Sequence, residues 1–435
     1  FHIIILILYT TRLHSCNMKI LHTADWHLGD NLHGFDRIAE HSHFLNWLQD
    51  IIEQERPDAL LISGDVFDNA NPSAQAEEQL YTFLHNATRL YQGLQIIITA
   101  GNHDSGRRLQ APGTLLAGLG VEIRGVIQHD EHGRPVTDNL IIPIKSINNP
   151  DERAIILAVP YIRPTDLDFG KSHQAAIREF FDGLARQAQK TYGKHTPTIL
   201  MAHLYAAGSE VALNDHSERL VVGGEDCIDV DGLDRNVSYV ALGHIHKAQQ
   251  GGGEDRMVFY AGSPIPMSFA EKNYRHGVNR IILGPTGGIV FEQVEYTPQR
   301  KMLSFPESGA ASLADILKQI KQLPAKNKQD PDFWPYLEIK LQDGEAGIAA
   351  QNDILNALDD KAAHLCKLVK VAPPSAKVAG TYTRNLEQLR NRTPLDIALD
   401  AYLQATGEEM GDELIERFNS VAQLAQKQEE QQPLD

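Results

Sequence analysis

Five short polar motifs carry the residue types of metal-assisted phosphoryl chemistry. They are Asp25-Trp26-His27, Gly64-Asp65, Gly101-Asn102-His103-Asp104, His203 and Gly243-His244-Ile245-His246. A D-x-H or H-x-H triplet puts two donor groups on the same side of an extended segment. The donors are carboxylates, imidazoles and one amide, with no thiolate. That set suits Mn²⁺, and with less selectivity Mg²⁺, Fe or Zn²⁺. There are enough of them for two ions at roughly 3.5–4 Å, the separation used by two-metal phosphoryl sites. Asp65 is the natural carboxylate to bridge such a pair. The glycines before Asp65, Asn102 and His244 permit tight turns there.

Such scattered residues need a frame that brings them together. From Met18 onward, apolar strand-like runs alternate with helical periodicity. Lys19–Thr23, Ala59–Ser63 and Gln95–Ala100 read as strands, and each directly precedes a motif. Between them, Arg37–Glu55 carries Ile38, Leu45, Leu48 and Ile52 at helical spacing, and Ser73–Tyr91 carries Ala76, Leu80, Phe83 and Ala87. Asn71 and Pro72 read as the start of the second helix. Ala154–Pro160, Thr198–Ala202, Ser238–Leu242 and Met257–Ala261 read as further strands, with a helix near Gln174–Tyr192 and a hairpin over Ile281–Glu295. The β-α-β-α-β order implies an α/β fold with a buried sheet. Sites in such sheets form at the carboxyl ends of strands, where all five motifs fall.

Beyond Thr297 the pattern changes. Leu313–Leu323 and Asn352–Ala363 read as helices, and Tyr336–Leu341 and Cys366–Val371 as strands. Pro373-Pro374-Ser375 reads as a linker. Two helices are expected over Asn385–Lys427, the first opened by Thr393 and Pro394. Leu414, Phe418, Val421 and Ala425 form an apolar stripe that suits a partner helix. The expected domains are therefore 18–297, 298–372 and 373–435, preceded by a non-native or unstructured extension over 1–17, with Met18 as the start. The opening FHIIILILY run is too short to span a bilayer, and it lacks the basic flank of a signal peptide. Three cysteines without C-x-x-C spacing fit a reducing, cytoplasmic compartment.

Composition raises one objection. The formal net charge is −17, whereas gripping nucleic acid by general basicity needs Lys and Arg on one face. Two divalent cations would offset about four negative charges locally. The rest of the acidic surface is not explained by the site.

The ordered motif series resembles the calcineurin-like metallophosphoesterase superfamily. Ile20–Gly29 (ILHTADWHLG), Ser63–Asp68 (SGDVFD) and Gly262–Phe269 (GSPIPMSF) are similar to the SbcD family within it, the bacterial relatives of the double-strand-break repair nucleases. The likeness runs from Met18 through the second unit and more loosely to the C-terminus. It implies a two-sheet sandwich flanked by helices, a small α/β cap domain and a helical C-terminal segment that binds an ATPase. It implies that Asp25, His27 and His246 hold one metal, that Asn102, His203 and His244 hold the other, and that Asp65 bridges them. His103 would act on the scissile phosphate as a general acid. The implied activity is a Mn²⁺-dependent, ATP-dependent 3′→5′ exonuclease on double strands, with endonuclease action on single strands and hairpins. It would serve DNA recombination, replication and repair. The implied partners are DNA and an SbcC-like coiled-coil ATPase, within a heterotetramer built on a homodimer, with no membrane association. The chain has no GxxxxGK[ST] loop, so ATP dependence must come from that partner.

Several residues near the motifs invite milder readings. His22 is expected to be a packed strand histidine and Trp26 a core residue. Asp68 and Asp104 are expected to brace turns or orient ligands. Arg107, Arg108, Arg163 and Lys272 are as well explained by solvation as by phosphate contact. Ser263 is not needed as a nucleophile. The competing functions are a small-molecule phosphodiesterase and a non-enzymatic metal-bound scaffold.

Overall fold

The computed structural model describes residues 18–163, 165–167, 172–206, 209–210, 227–228, 233, 236–252, 256–284, 288–328, 330–344 and 347–371, together with Tyr402, Met410, Gly411, Leu414, Ile415 and Arg417. The expected C-terminal helices and linker lie almost wholly outside the described residues, as does the extension over 1–17.

The strand-like runs form strands because they are apolar on both faces. β1 (Met18–Thr23), β2 (Ala59–Ser63) and β3 (Gln95–Thr99) pair in parallel. β4 (Val121–Arg124) extends them beyond β3. Residues of β1 alternate between two apolar environments. Leu21 joins Leu60, Ile62, Ile96 and Ile98 under the helices α1 (Ile38–Glu55) and α2 (Ala74–Leu90). Ile20 joins Ala59, Leu61 and Ile97 against a second sheet. Strands covered on both sides read as continuous hydrophobic runs, as here.

The second sheet contains β5 (Ile141–Lys145), β6 (Arg153–Ala158), β7 (Thr198–His203), β8 (Tyr239–Gly243), β9 (Gln249–Gln250) and β10 (Val258–Tyr260), in the order β9-β10-β8-β7-β6-β5. The helix α3 (His173–Tyr192) joins β6 to β7. The chain then returns to the first sheet. β11 (His276–Leu283) lies antiparallel to β1, and β12 (Ile289–Tyr296) completes a hairpin with β11. The first sheet thus runs β12-β11-β1-β2-β3-β4. This is the expected two-sheet sandwich with flanking helices.

A smaller α/β layer follows. β13 (Met302–Phe305), β14 (Tyr336–Gln342) and β15 (His364–Val371) make a parallel sheet. Its helices α4 (Leu313–Lys321) and α5 (Ile348–Leu358) bury Ile316, Ile320, Ile354 and Leu358 against Leu337, Ile339 and Leu341.

Some boundaries differ from the sequence reading. The cap of α2 is Ser73 rather than Asn71, because the Ser73 hydroxyl accepts the Ala76 N–H at 3.2 Å. The second helix of this layer spans 348–358 rather than 352–363, since Ala350, Ile354 and Leu358 already complete its buried stripe. Among the described strands of four residues or more, three are not apparent from the sequence pattern. β4 and β13 have four residues each. β5 contains Pro143, which lowers strand propensity except on an edge, and β5 is indeed the edge strand.

Candidate metal centre

Each motif emerges where a strand ends. Asp25 and His27 follow β1, Asp65 follows β2, Asn102 and His103 follow β3, His203 closes β7, and His244 and His246 follow β8. β1, β2 and β3 belong to one sheet while β7 and β8 belong to the other, so the centre sits where the two sheets' carboxyl ends meet.

The turns that direct these side chains inward are conformationally costly. Among the described residues, Asp25, His27, Asp65 and His244 have φ of 54°, 47°, 45° and 95°. Non-glycine residues rarely adopt such angles, and they concentrate at functional sites. Two glycines are required by space as well. A Cβ on Gly101 would lie 2.1 Å from Asp65 Oδ1, and one on Gly64 would lie 2.1 Å from His203 Nδ1. Asp104 ties two of the loops together. Its carboxylate accepts the N–H groups of Gly101 at 2.8 Å, Val66 at 3.1 Å and Phe67 at 2.9 Å.

The seven expected ligands converge. His203 Nε2 lies 3.3 Å from Asp65 Oδ2 and 2.9 Å from Asn102 Oδ1. His244 Nδ1 lies 3.1 Å from the same Asn102 oxygen. On the other side, His27 Nε2 is 3.7 Å from Asp65 Oδ2, and the rings of His27 and His246 are 5.1 Å apart. Asp25 Oδ1 accepts the His244 N–H at 2.8 Å and lies 3.8 Å from His203 Nδ1. Asp65 is thus the carboxylate within reach of both groups. Asp25, His27 and Asp65 offer donor atoms all within 4.8 Å of one another, and so do His27, Asp68 and His103.

Electrostatics reflect this crowding. Burial raises the Asp25 carboxyl to about 6, against the pull of His203 and His246. Burial disfavours the His203 imidazolium, but Asp65 and Asp25 outweigh it and lift His203 to about 9. Asp65 is held well below the carboxylate range despite its burial, by His203 and His27. His244 is pushed down to about 3 by burial and by His203.

The donor set fits divalent metal. Asp25 Oδ2 and His27 Nε2 are buried without a hydrogen-bond partner. Orphaned buried acceptors are costly, and a cation is what would satisfy them. The backs of two rings are held for ligation: His203 Nδ1 lies 3.1 Å from the Ser63 carbonyl and His246 Nδ1 lies 3.1 Å from Glu271 Oε1. His27 Nδ1 comes within 3.3 Å of Asp68 Oδ1 but makes no hydrogen bond. His103 Nδ1 lies 2.7 Å from the Asp68 carbonyl, and its ring is only partly buried.

The secondary candidates are placed as follows. His22 and Trp26 are fully buried, the latter donating to Thr23 Oγ1 at 2.9 Å. Ser263 is buried and donates to the Ile265 carbonyl at 2.8 Å, so its hydroxyl is engaged in its own loop. Arg108 pairs with Glu77 at 3.0 Å. Lys272 reaches Ser304 Oγ at 3.1 Å and Glu307 at 2.9 Å in the smaller layer. Glu271, buried against His246, is a contact of the centre that sequence reasoning misses. It follows the GSPIPMSF stretch by only two positions, but a lone glutamate there carries no ligand spacing. Among the described residues, no helix is long and apolar enough to cross a membrane.

Comparison with known proteins agrees with this geometry. Residues 18–248 match the calcineurin-like phosphoesterase family model, and residues 298–406 match the model described as the type 5 capsule protein repressor C-terminal domain. The SbcD subunit of the nuclease SbcCD from Rhodobacter capsulatus is 35% identical over 85% of this chain and 91% of its own length. Its namesakes from Bacillus subtilis and Escherichia coli K12 are 29% and 28% identical, over 75% and 74% of this chain and 80% and 78% of theirs. With its candidate donor residues on turns at the meeting strand ends of two sheets, the chain belongs to the calcineurin-like phosphoesterases and, among them, to the SbcD family of nuclease subunits.

Proposed function

We propose that this chain is the nuclease subunit of a DNA-processing complex and hydrolyses phosphodiester bonds with two divalent metal ions. The observation that carries the reading is the convergence of seven donor side chains from both sheets on one buried point, two of whose donor atoms lack any hydrogen-bond partner. Asp25, His27 and His246 would hold one ion, Asn102, His203 and His244 the other, and Asp65 both. Manganese suits these oxygen and imidazole donors. Ions bound there would supply charge neutralisation and an activated water.

His103 is the residue left to handle the phosphate. Its Nδ1–H donates to the Asp68 carbonyl, which leaves Nε2 as the nitrogen free to meet the phosphate; with the ring as imidazolium, Nε2–H would give its proton to the leaving oxygen. Residues 298–372 would form a cap and 373–435 a partner-binding segment. The partner would be an SbcC-like coiled-coil ATPase, in an assembly with two copies of each chain, in the cytoplasm. The relatives' shared name, which makes each of them one component of a nuclease called SbcCD, supports an assembly of this kind. ATP-dependent 3′→5′ exonuclease action on duplex and endonuclease action on single strands and hairpins are the expected activities.

The test is cleavage of end-labelled duplex and hairpin DNA by the purified chain with its ATPase, in Mn²⁺ and in EDTA. Manganese-dependent cutting that Asp65→Asn abolishes is expected. A doubly loaded protein that leaves DNA intact with the ATPase present, yet hydrolyses a bis-nucleotide, would sink the reading in favour of a small-molecule phosphodiesterase.

A further inference from the structure

The ring of His246 is held from behind by a residue outside all five motifs. Glu271 is completely buried, and its two carboxylate oxygens have different duties. Oε2 accepts the Met267 N–H at 2.8 Å and so closes the 267–271 loop. Oε1 lies 3.1 Å from His246 Nδ1. The loop is fixed independently, since Glu271 N–H donates to the Ser268 carbonyl at 3.1 Å and Tyr274 N–H to the Glu271 carbonyl at 2.9 Å. A merely structural glutamate would be explained by the Met267 bond alone. The oxygen directed at His246 is left over from that account.

A carboxylate on Nδ1 keeps the imidazole proton on that nitrogen and leaves Nε2 as the lone-pair donor. It also fixes the plane of the ring, here 77° from that of His27. We infer that Glu271 is a positioning residue that sets the tautomer and orientation of His246 for metal binding. The inference rests on the two-ion reading above. It adds a residue that touches neither metal nor DNA.

Glu271→Gln tests it, because glutamine is nearly isosteric but has one acceptor oxygen. Met267 N–H and His246 Nδ1–H both require an acceptor, so the amide must fail one of them. Presenting its NH₂ to His246 would force the ring proton onto Nε2. Mn²⁺ titration by calorimetry, with no DNA present, should find two ions in the wild type. In the variant, one ion should bind as before and the other roughly 10–100-fold more weakly. In the cleavage assay, half-saturating Mn²⁺ should rise by a similar factor while the maximal rate returns at saturation. Long-range ¹⁵N–¹H NMR of the metal-free wild type should show His246 protonated on Nδ1, a readout that does not depend on the variant folding. A proton on Nε2, or wild-type binding of both ions by Glu271→Gln, overturns the assignment. Two ions bound with DNA left intact removes the nuclease reading but leaves this one to be decided by the titration. Fewer than two ions in the wild type overturns both.

Discussion

The backbone N–H of His103 donates to Asp65 Oδ1 at 2.9 Å, so the carboxylate expected to bridge the ions and the histidine expected to serve the phosphate are joined through the main chain. His103→Ala keeps that bond while removing the imidazole. Metal content and unfolding midpoint should therefore stay at wild-type values, and DNA cleavage should drop roughly 10²–10⁴-fold. Parallel metal analysis and single-turnover cleavage check this. Loss of metal from the variant would instead make His103 a ligand, as its closeness to His27 and Asp68 also allows.

Gly243 leaves no room for a side chain. A Cβ there would lie 1.9 Å from the Ser63 carbonyl and 2.8 Å from His203 Nδ1. Gly243→Ala must push β8 away from the end of β2 and from the His203 ring, at a cost of about 1–3 kcal/mol, and should abolish binding of the ion assigned to His203. Gly113→Ala, which meets open space, is the control. Urea midpoints and Mn²⁺ titration should separate the two variants; equal behaviour would refute the packing argument.

Arg37 is fully buried, donating to Glu40 at 2.7 Å, Asp30 at 3.1 Å and the Pro266 carbonyl at 2.9 Å. Removing Arg37 leaves buried Glu40 only the looser contact with Arg300 at 3.7 Å, at a cost of about 3–5 kcal/mol. Arg37→Met should show that loss in urea unfolding, and Arg37→Met with Glu40→Leu should recover most of it. A single-variant cost under about 1 kcal/mol would mean Glu40 is rescued elsewhere.

His22 and His41 are buried neutral. Burial pushes both down to about 3, aided at His41 by Arg37 and opposed at His22 by the Leu242 carbonyl. The unfolded chain takes up these protons near pH 6.5, whereas the folded chain resists until about 3. Stability is therefore fully present above 6.5 and falls as pH drops below it, by about 1.4 kcal/mol per pH unit for each histidine. Urea unfolding of metal-free protein at pH 7 and pH 5 measures the slope. His41→Leu should reduce it, and an unchanged slope would contradict the assignment.

With a net charge of −17, the isolated chain should bind DNA weakly and with a shallow salt dependence. Fluorescence anisotropy at several salt concentrations tests this. Tight binding that collapses steeply with salt would show that the chain carries its own basic groove.

The convergence of the seven donor residues is legible in the sequence because such donors stand at fixed spacings after strands, and apolar runs such as ALLIS announce buried strands. The supports are legible only in part. Glu271 acts through contacts to a ring nitrogen and a backbone N–H, and no spacing rule marks which acidic residue of a loop does so. Asp104 reads as a brace only because it adjoins Asn102 and His103. Short strands such as Val121–Arg124 fall below the length at which alternation is readable. Pro143 disguises another, because its edge position is a property of the finished sheet.

β1 waits for its second neighbour across most of the sandwich: Met18 pairs with Leu283, and Ile20 with Ile281. A polypeptide emerging from the ribosome therefore carries one of its first strands with an open side until residue 283 has been made. His246 and the loop behind it arrive in the same late interval. A fragment ending before His276 should stick to its own kind rather than work as a smaller enzyme.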